Sequence, residues 1–146
     1  MSNLNSKFDV IAGLPPQGKS TMDSVFKQKD AESPILIEGR IAKVVDESSV
    51  PVLTALTSTA VSAITLPDVP WLVYQGMDQS DAVLTDKMAA LRLNEGLIFK
   101  VETSESFTIG DLVRADAGVV KPLTGANERA IGQIIGKGDG FVVIAS

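Results

Sequence analysis

Cysteine and histidine are both missing from the 146 residues. Their absence removes the thiolate nucleophile, the imidazole base and nearly every zinc, copper or haem ligand. Most hydrolase chemistry is excluded with them. No disulfide or metal is needed for folding, because a chain of this length buries roughly two-thirds of the surface its unfolded form exposes. Aromatic residues are scarce at 5%, with one Trp and one Tyr. No run approaches eighteen apolar residues, and the opening MSNLNSKFDVIAG lacks the basic start and long apolar run of a signal peptide. The expectation is a protein made in the cytoplasm that crosses no membrane. Positive charge is also in deficit: 13 Lys and Arg stand against 18 Asp and Glu, a net charge of -5. No basic stripe is available for a phosphate backbone, so no nucleic-acid partner is expected.

The charge is unevenly spread. Residues 1–30 carry four Lys (Lys7, Lys19, Lys27, Lys29) against three Asp (Asp9, Asp23, Asp30), whereas the remainder carries nine basic and fifteen acidic residues. The first thirty-odd residues are also diluted by Asn, Ser, Gly and a Pro-Pro pair. This composition predicts an extended N-terminal arm over 1–34 ahead of a body over 35–146. Within the arm, Ser20 to Asp23 reads as a cap, and Met22, Val25 and Phe26 fall at i, i+3 and i+4, predicting one short helix over about 20–30. Such a polar segment contributes little to a core, so its removal is expected to leave the body folded.

After Pro34 the signals are those of strands. Ile35 to Val45 is rich in β-branched residues around Gly39, and predicts a strand pair or one long kinked strand. Val50 to Leu66 is a mixed case assigned to strand, and Trp71 to Tyr74 an apolar run assigned to a buried strand before a polar loop. Ala89 to Leu93 and Leu97 to Glu102 alternate apolar with polar or small residues around Asn94-Glu95-Gly96, predicting a hairpin. Phe107–Ala115, Val119–Leu123, Ala130–Ile135 and Phe141–Ala145 follow as short strands separated by turn-forming residues. Strands at intervals of about ten residues with Gly-rich turns predict an all-β fold, a small antiparallel β-barrel or sandwich.

Gly13-Leu14-Pro15-Pro16-Gln17-Gly18-Lys19-Ser20 satisfies the phosphate-loop pattern G-x-x-x-x-G-K-[ST]. In that motif backbone N–H groups cradle phosphates, the Lys reaches the terminal ones and the hydroxyl holds magnesium. Here Pro15 and Pro16 delete two of the donors. The chain after Pro34 offers no crossover helices, and the apolar run before Asp46 is interrupted by Lys43. A Pro-Gly turn in an extended arm is the expected reading, with a small nucleotide-binding protein using Gly13 to Ser20 as the alternative.

Other constellations are weaker still. Asp78, Asp81 and Asp86 lack the alternating acidic positions and central Gly of a calcium loop, and read as a solvated loop. Glu102 and Glu105 are the candidates for a catalytic carboxylate pair, but nothing in the sequence raises either pKa, and a turn before Phe107 explains both. Trp71 and Tyr74 are assigned to core packing rather than a ligand surface. No catalytic, cofactor-binding or metal-binding residue is therefore assigned.

The C-terminal rhythm is distinctive: Phe107-Thr108-Ile109-Gly110-Asp111-Leu112-Val113, then Ala117 to Pro122, then Ala130-Ile131-Gly132-Gln133-Ile134-Ile135-Gly136, then Gly140 to Ile144. It resembles the capsid cement, or head decoration, proteins of tailed bacteriophages. There a GD-x-V strand, a small-residue turn, a V-x-P strand, an A-I-G strand and a Val-rich strand recur toward the end of an all-β domain. Val69 to Val101 is similar in style. The resemblance implies a non-enzymatic virion protein without cofactor, made in the host cytoplasm and seated on the capsid exterior. Its implied partners are the major capsid protein and itself, often as a homotrimer clamping neighbouring capsomers. A carbohydrate- or receptor-binding β-module is a third option.

Overall fold

The computed structural model describes residues 8–12, 23–28, 36, 39–58, 69–75, 87–93, 96–125 and 128–146. Among them there are eleven strands and no helix. They are β1 (Asp9–Ala12), β2 (Asp23–Gln28), β3 (Ile41–Glu47), β4 (Val50–Ala55), β5 (Trp71–Gln75), β6 (Lys87–Arg92), β7 (Ile98–Glu102), β8 (Leu112–Asp116), β9 (Val119–Pro122), β10 (Gly132–Gly138) and β11 (Phe141–Ala145). The described part of the chain is thus all-β. Two sheets result, one of six strands in the order β1-β7-β11-β10-β8-β9 and one of five in the order β2-β4-β3-β5-β6. Every pairing is antiparallel except a two-residue parallel contact between β2 and β4.

Where β3, β5 and β6 meet, the five-stranded sheet is apolar on both faces. Ile41, Leu72 and Leu91 point to a core shared with the six-stranded sheet, which supplies Phe99, Val101, Val113, Ile134 and Ile144. Their chain neighbours Ala42, Val73 and Ala90 turn the other way into a second cluster with Leu36 and Leu53. Because side chains alternate along a strand, a strand covered on both sides must be apolar at consecutive positions. That is why Trp71-Leu72-Val73 reads as an unbroken run. The six-stranded sheet is buried on one face only, so β7, β8 and β11 alternate as a half-buried strand should.

Backbone hydrogen bonds stitch the sheets together around the tip of the β8–β9 hairpin. Ile41 N–H donates to Gly118 O (2.8 Å), Gly118 N–H to Leu56 O (2.9 Å) and Leu56 N–H to Ile41 O (3.0 Å). Beside this triangle, Ser58 N–H donates to Ala115 O (2.8 Å), and the Ser58 hydroxyl accepts from Ala115 N–H (3.0 Å). Thr57 Oγ1 accepts from Ala117 N–H at 3.0 Å.

Three expectations are corrected. The short helix over about 20–30 is not formed where the chain is described: Asp23–Gln28 is strand β2, paired at five positions with β6. A lone helix of that length is marginal in water, whereas the strand satisfies its backbone against two neighbours. Of the segment 1–34, the described residues pair with the body: β1 with β7, and β2 with β4 and β6. The hairpin over Ala89–Leu93 and Leu97–Glu102 is a crossover between sheets. Leu93 and Leu97 both bury in the shared core, while Leu93 N–H donates to Pro70 O and Gly96 N–H to Ser146 O. Finally, the strand expected from Phe107 begins only at Leu112. Asp111 holds the preceding residues in a turn: its carboxylate accepts from Thr108 N–H (2.8 Å), and its own N–H donates to Thr108 O (3.0 Å).

Candidate docking surface

The outward face of the six-stranded sheet is assembled by alternation. With Phe99, Val101, Val113, Ala115, Val142 and Ile144 turned to the core, the intervening residues face away from it. Register sets Ile98 opposite Ala145, Ala145 opposite Gln133, and Gln133 opposite Leu112, which makes a row across four strands. The next row runs from Lys100 through Val143 to Gly136. Two irregularities add to it. Ile11 falls where the β1–β7 register slips and Ile135 where the β10–β11 register slips, and they are 53% and 45% exposed. A bulge re-aims the side chain of its extra residue. Leu112 (46%) and Ile109 (59%) extend the exposed apolar surface.

Charge on this face is compensated locally. Lys121 Nζ lies 3.0 Å from Asp116 Oδ2, and Arg114 reaches Asp116 at 3.9 Å and Glu128 at 3.2 Å. Arg114 Nε also donates to Pro122 O. Lys100 Nζ sits 4.6 Å from the centre of the Phe141 ring, within cation–π range. Phe141 in turn fills the space over Gly138, where any added Cβ would meet the ring.

Glu128 organises the connection between β9 and β10. Its Oε1 accepts from the Thr124 hydroxyl (2.7 Å), from Thr124 N–H (2.9 Å) and from Gly125 N–H. The Thr124 hydroxyl foremost, then the Gly125 and Thr124 N–H groups and the Arg114 charge, hold its carboxyl below the ordinary glutamate pKa against an opposing desolvation effect. A depressed carboxylate stabilises the fold above its unfolded pKa, and that contribution disappears as pH falls through the folded value. The melting temperature of wild type is therefore expected to exceed that of Glu128→Gln by a constant margin at neutral pH. The margin should shrink as pH is lowered below the ordinary glutamate range. A pH-independent margin in thermal melts would contradict this role for the carboxylate. Sequence inspection missed the device, although Thr124-Gly125-x-x-Glu128 is a local string that signals it.

A shallow cleft of about 170 Å³ lies at the far end of the same sheet, lined by residues including Thr103, Glu105, Ser106, Lys137 and Phe141. Its polar groups are engaged by the protein: Lys137 Nζ donates to Phe107 O (3.0 Å), and Thr103 Oγ1 accepts from Glu105 N–H (3.0 Å). Glu102 and Glu105 are both exposed, Glu102 on β7 and Glu105 in the loop that follows. Trp71 is half-buried against the second core cluster, as a packing role requires. Gly13 to Ser20 and Asp78, Asp81 and Asp86 lie outside the described residues, as does the Tyr74 side chain. Among the described residues no group of three or more acidic side chains is arranged to hold a metal ion. No family model, curated protein or solved structure matches the chain.

Proposed function

We propose that this chain is a structural virion protein that binds the outer surface of an assembled capsid and cements neighbouring subunits of the major capsid protein. The observation that carries the reading is the rhythm from Phe107 to Ile144, whose likeness to phage cement proteins falls on β8 to β11 of one sheet. That sheet is backed by the shared core and exposes apolar side chains on its other face, as a rigid protein-binding platform needs. In its fuller form the protein acts as a homotrimer, catalyses nothing, uses no cofactor, and passes through the host cytoplasm during assembly. We read the five-stranded sheet as a small barrel, because β2, at one end of the order, pairs with its neighbour β4 and also with β6 at the other end. Net negative charge suits the exterior of a shell better than contact with packaged DNA.

The test is whether the genome that carries this chain also encodes a major capsid protein, and whether shells assembled from that protein carry the chain with them in co-sedimentation. Stoichiometric migration with the shells is expected for wild type and equally for Lys19→Ala, since a single lysine contributes a modest electrostatic effect. Protein left at the top of the gradient overturns the reading. Nucleotide binding through Gly13 to Ser20 makes the opposite forecast. Magnesium-ATP at a hundred times its dissociation constant would stabilise the fold by about 2.7 kcal/mol, and Lys19→Ala would abolish that gain.

A further inference from the structure

We propose that the turn between β10 and β11 is a site of spontaneous backbone isomerisation, at which Asp139 converts to isoaspartate through a succinimide and so becomes a substrate for carboxyl methyltransferases that act on isoaspartate.

Asp139-Gly140 is the one Asp-Gly pair of the chain, and no Asn-Gly pair occurs. Gly138 and Phe141 pair across the two-residue turn that holds it, with Asp139 exposed and Gly140 at φ +76°. Ring closure needs a carboxyl group free to move, a following amide nitrogen that is not donating, and no side chain shielding that nitrogen. Among the described residues no hydrogen bond or ion pair engages the Asp139 carboxylate, and the Gly140 N–H has no acceptor. Gly140 also lacks the Cβ that would crowd the attack. Two other aspartates beside turns of the same sheet are held in place. The Asp111 carboxylate accepts from Thr108 N–H at 2.8 Å, and that of Asp116 lies 3.0 Å from Lys121 Nζ. Each is followed by a residue with a side chain, Leu112 and Ala117.

The reaction consumes nothing but water. The Gly140 nitrogen attacks Asp139 Cγ, so that the N–Cγ bond forms, the Cγ–O bond breaks, and the amide proton leaves with the hydroxyl as water. Water then opens the five-membered ring at either carbonyl. Opening at Cγ restores aspartate, whereas opening at the original main-chain carbonyl routes the backbone through Cβ and leaves a free α-carboxylate. S-adenosylmethionine supplies the methyl group that such an enzyme places on this carboxylate, leaving S-adenosylhomocysteine. Isomerisation lengthens the turn by one methylene. It therefore displaces Gly140 O, which accepts from Thr103 N–H at 3.0 Å, and the Phe141 ring that lies over Gly138.

The full-length protein, kept for several weeks at physiological temperature and neutral pH, is probed with recombinant protein isoaspartate methyltransferase and methyl-labelled S-adenosylmethionine, and its peptides are mapped by mass spectrometry. Label is expected to rise with incubation and to lie on the peptide that carries Asp139. Asp139→Glu, which has to close a six-membered ring, should cut the rate about tenfold or more, and Asp139→Asn, with ammonia as the leaving group, should raise it by about the same factor. Label that stays at the level of freshly purified protein, or that maps to another aspartate, overturns the site. So does a rate unchanged in Asp139→Glu, or isomerisation confined to protein unfolded in urea, because the folded turn would then not carry the reaction.

Discussion

A chain that starts at residue 35 is expected to lose cooperative folding or to precipitate, while one that starts at residue 13 stays soluble with a lowered melting temperature. The difference lies in which strand is lost. β1 is an edge strand: its removal uncovers one side of β7 and takes away Val10 and Phe8, which pack against the shared core. β2 lies between β4 and β6, so deleting it strips partners from both. Its five paired positions on β6 represent backbone hydrogen bonds worth about 1 kcal/mol each. That sum approaches the 5–15 kcal/mol by which a domain is typically stable. The uncovered edges then become templates for aggregation. Thermal melting and size-exclusion chromatography of the two truncations decide the matter. A residue-35 variant that is monodisperse and melts within a few degrees of the full chain would show that β2 is dispensable and that residues 1–34 act as an arm.

That reversal illustrates what was legible in the sequence. β9 and β11 were readable nearly to their ends, and β7 and most of β10 in outline, because alternation and Gly-containing turns are local signals. β2 was not. Asp-Ser-Val-Phe-Lys-Gln fits a short helix as well as a strand, and the choice is made by β6, some sixty residues away. The crossover at Leu93 and Leu97 was read as a hairpin for the same reason, since a Gly-containing link between two alternating segments does not reveal that they join different sheets. The candidate surface was legible as a set of strands through Phe107 to Ile144, but not as a face. Alternation sends Ile134 and Ile135 to opposite faces, but nothing local says that the register slips there or which of the two meets the core.

Gly118→Val is expected to destabilise the protein by roughly 3–5 kcal/mol, well beyond an ordinary turn substitution. Gly118 has φ +81°, following Ala117 at φ +48°, the pair of left-handed residues that a two-residue hairpin turn demands. A β-branched residue there costs about 1–3 kcal/mol in backbone strain alone. The surroundings add to it. A Cβ at Gly118 would lie 3.2 Å from Ile41 O and 3.4 Å from Ala55 Cβ. Ile41 O is itself the acceptor for Leu56 N–H, and Gly118 both donates to Leu56 O and accepts from Ile41 N–H. Pushing the hairpin tip away therefore strains the two bonds through which Gly118 joins the sheets, at about 1 kcal/mol each. Gly96→Val separates the two contributions, because Gly96 has a similar φ of +91° but nothing within 4 Å of the added Cβ. It should show the conformational cost without the junction cost. At this chain length each kcal/mol lowers the melting temperature by roughly 2–4 °C, so the two variants should differ by several degrees in calorimetry. Equal losses would mean that the β8–β9 tip is an ordinary turn and that the bonds of Gly118 add nothing to the junction of the sheets.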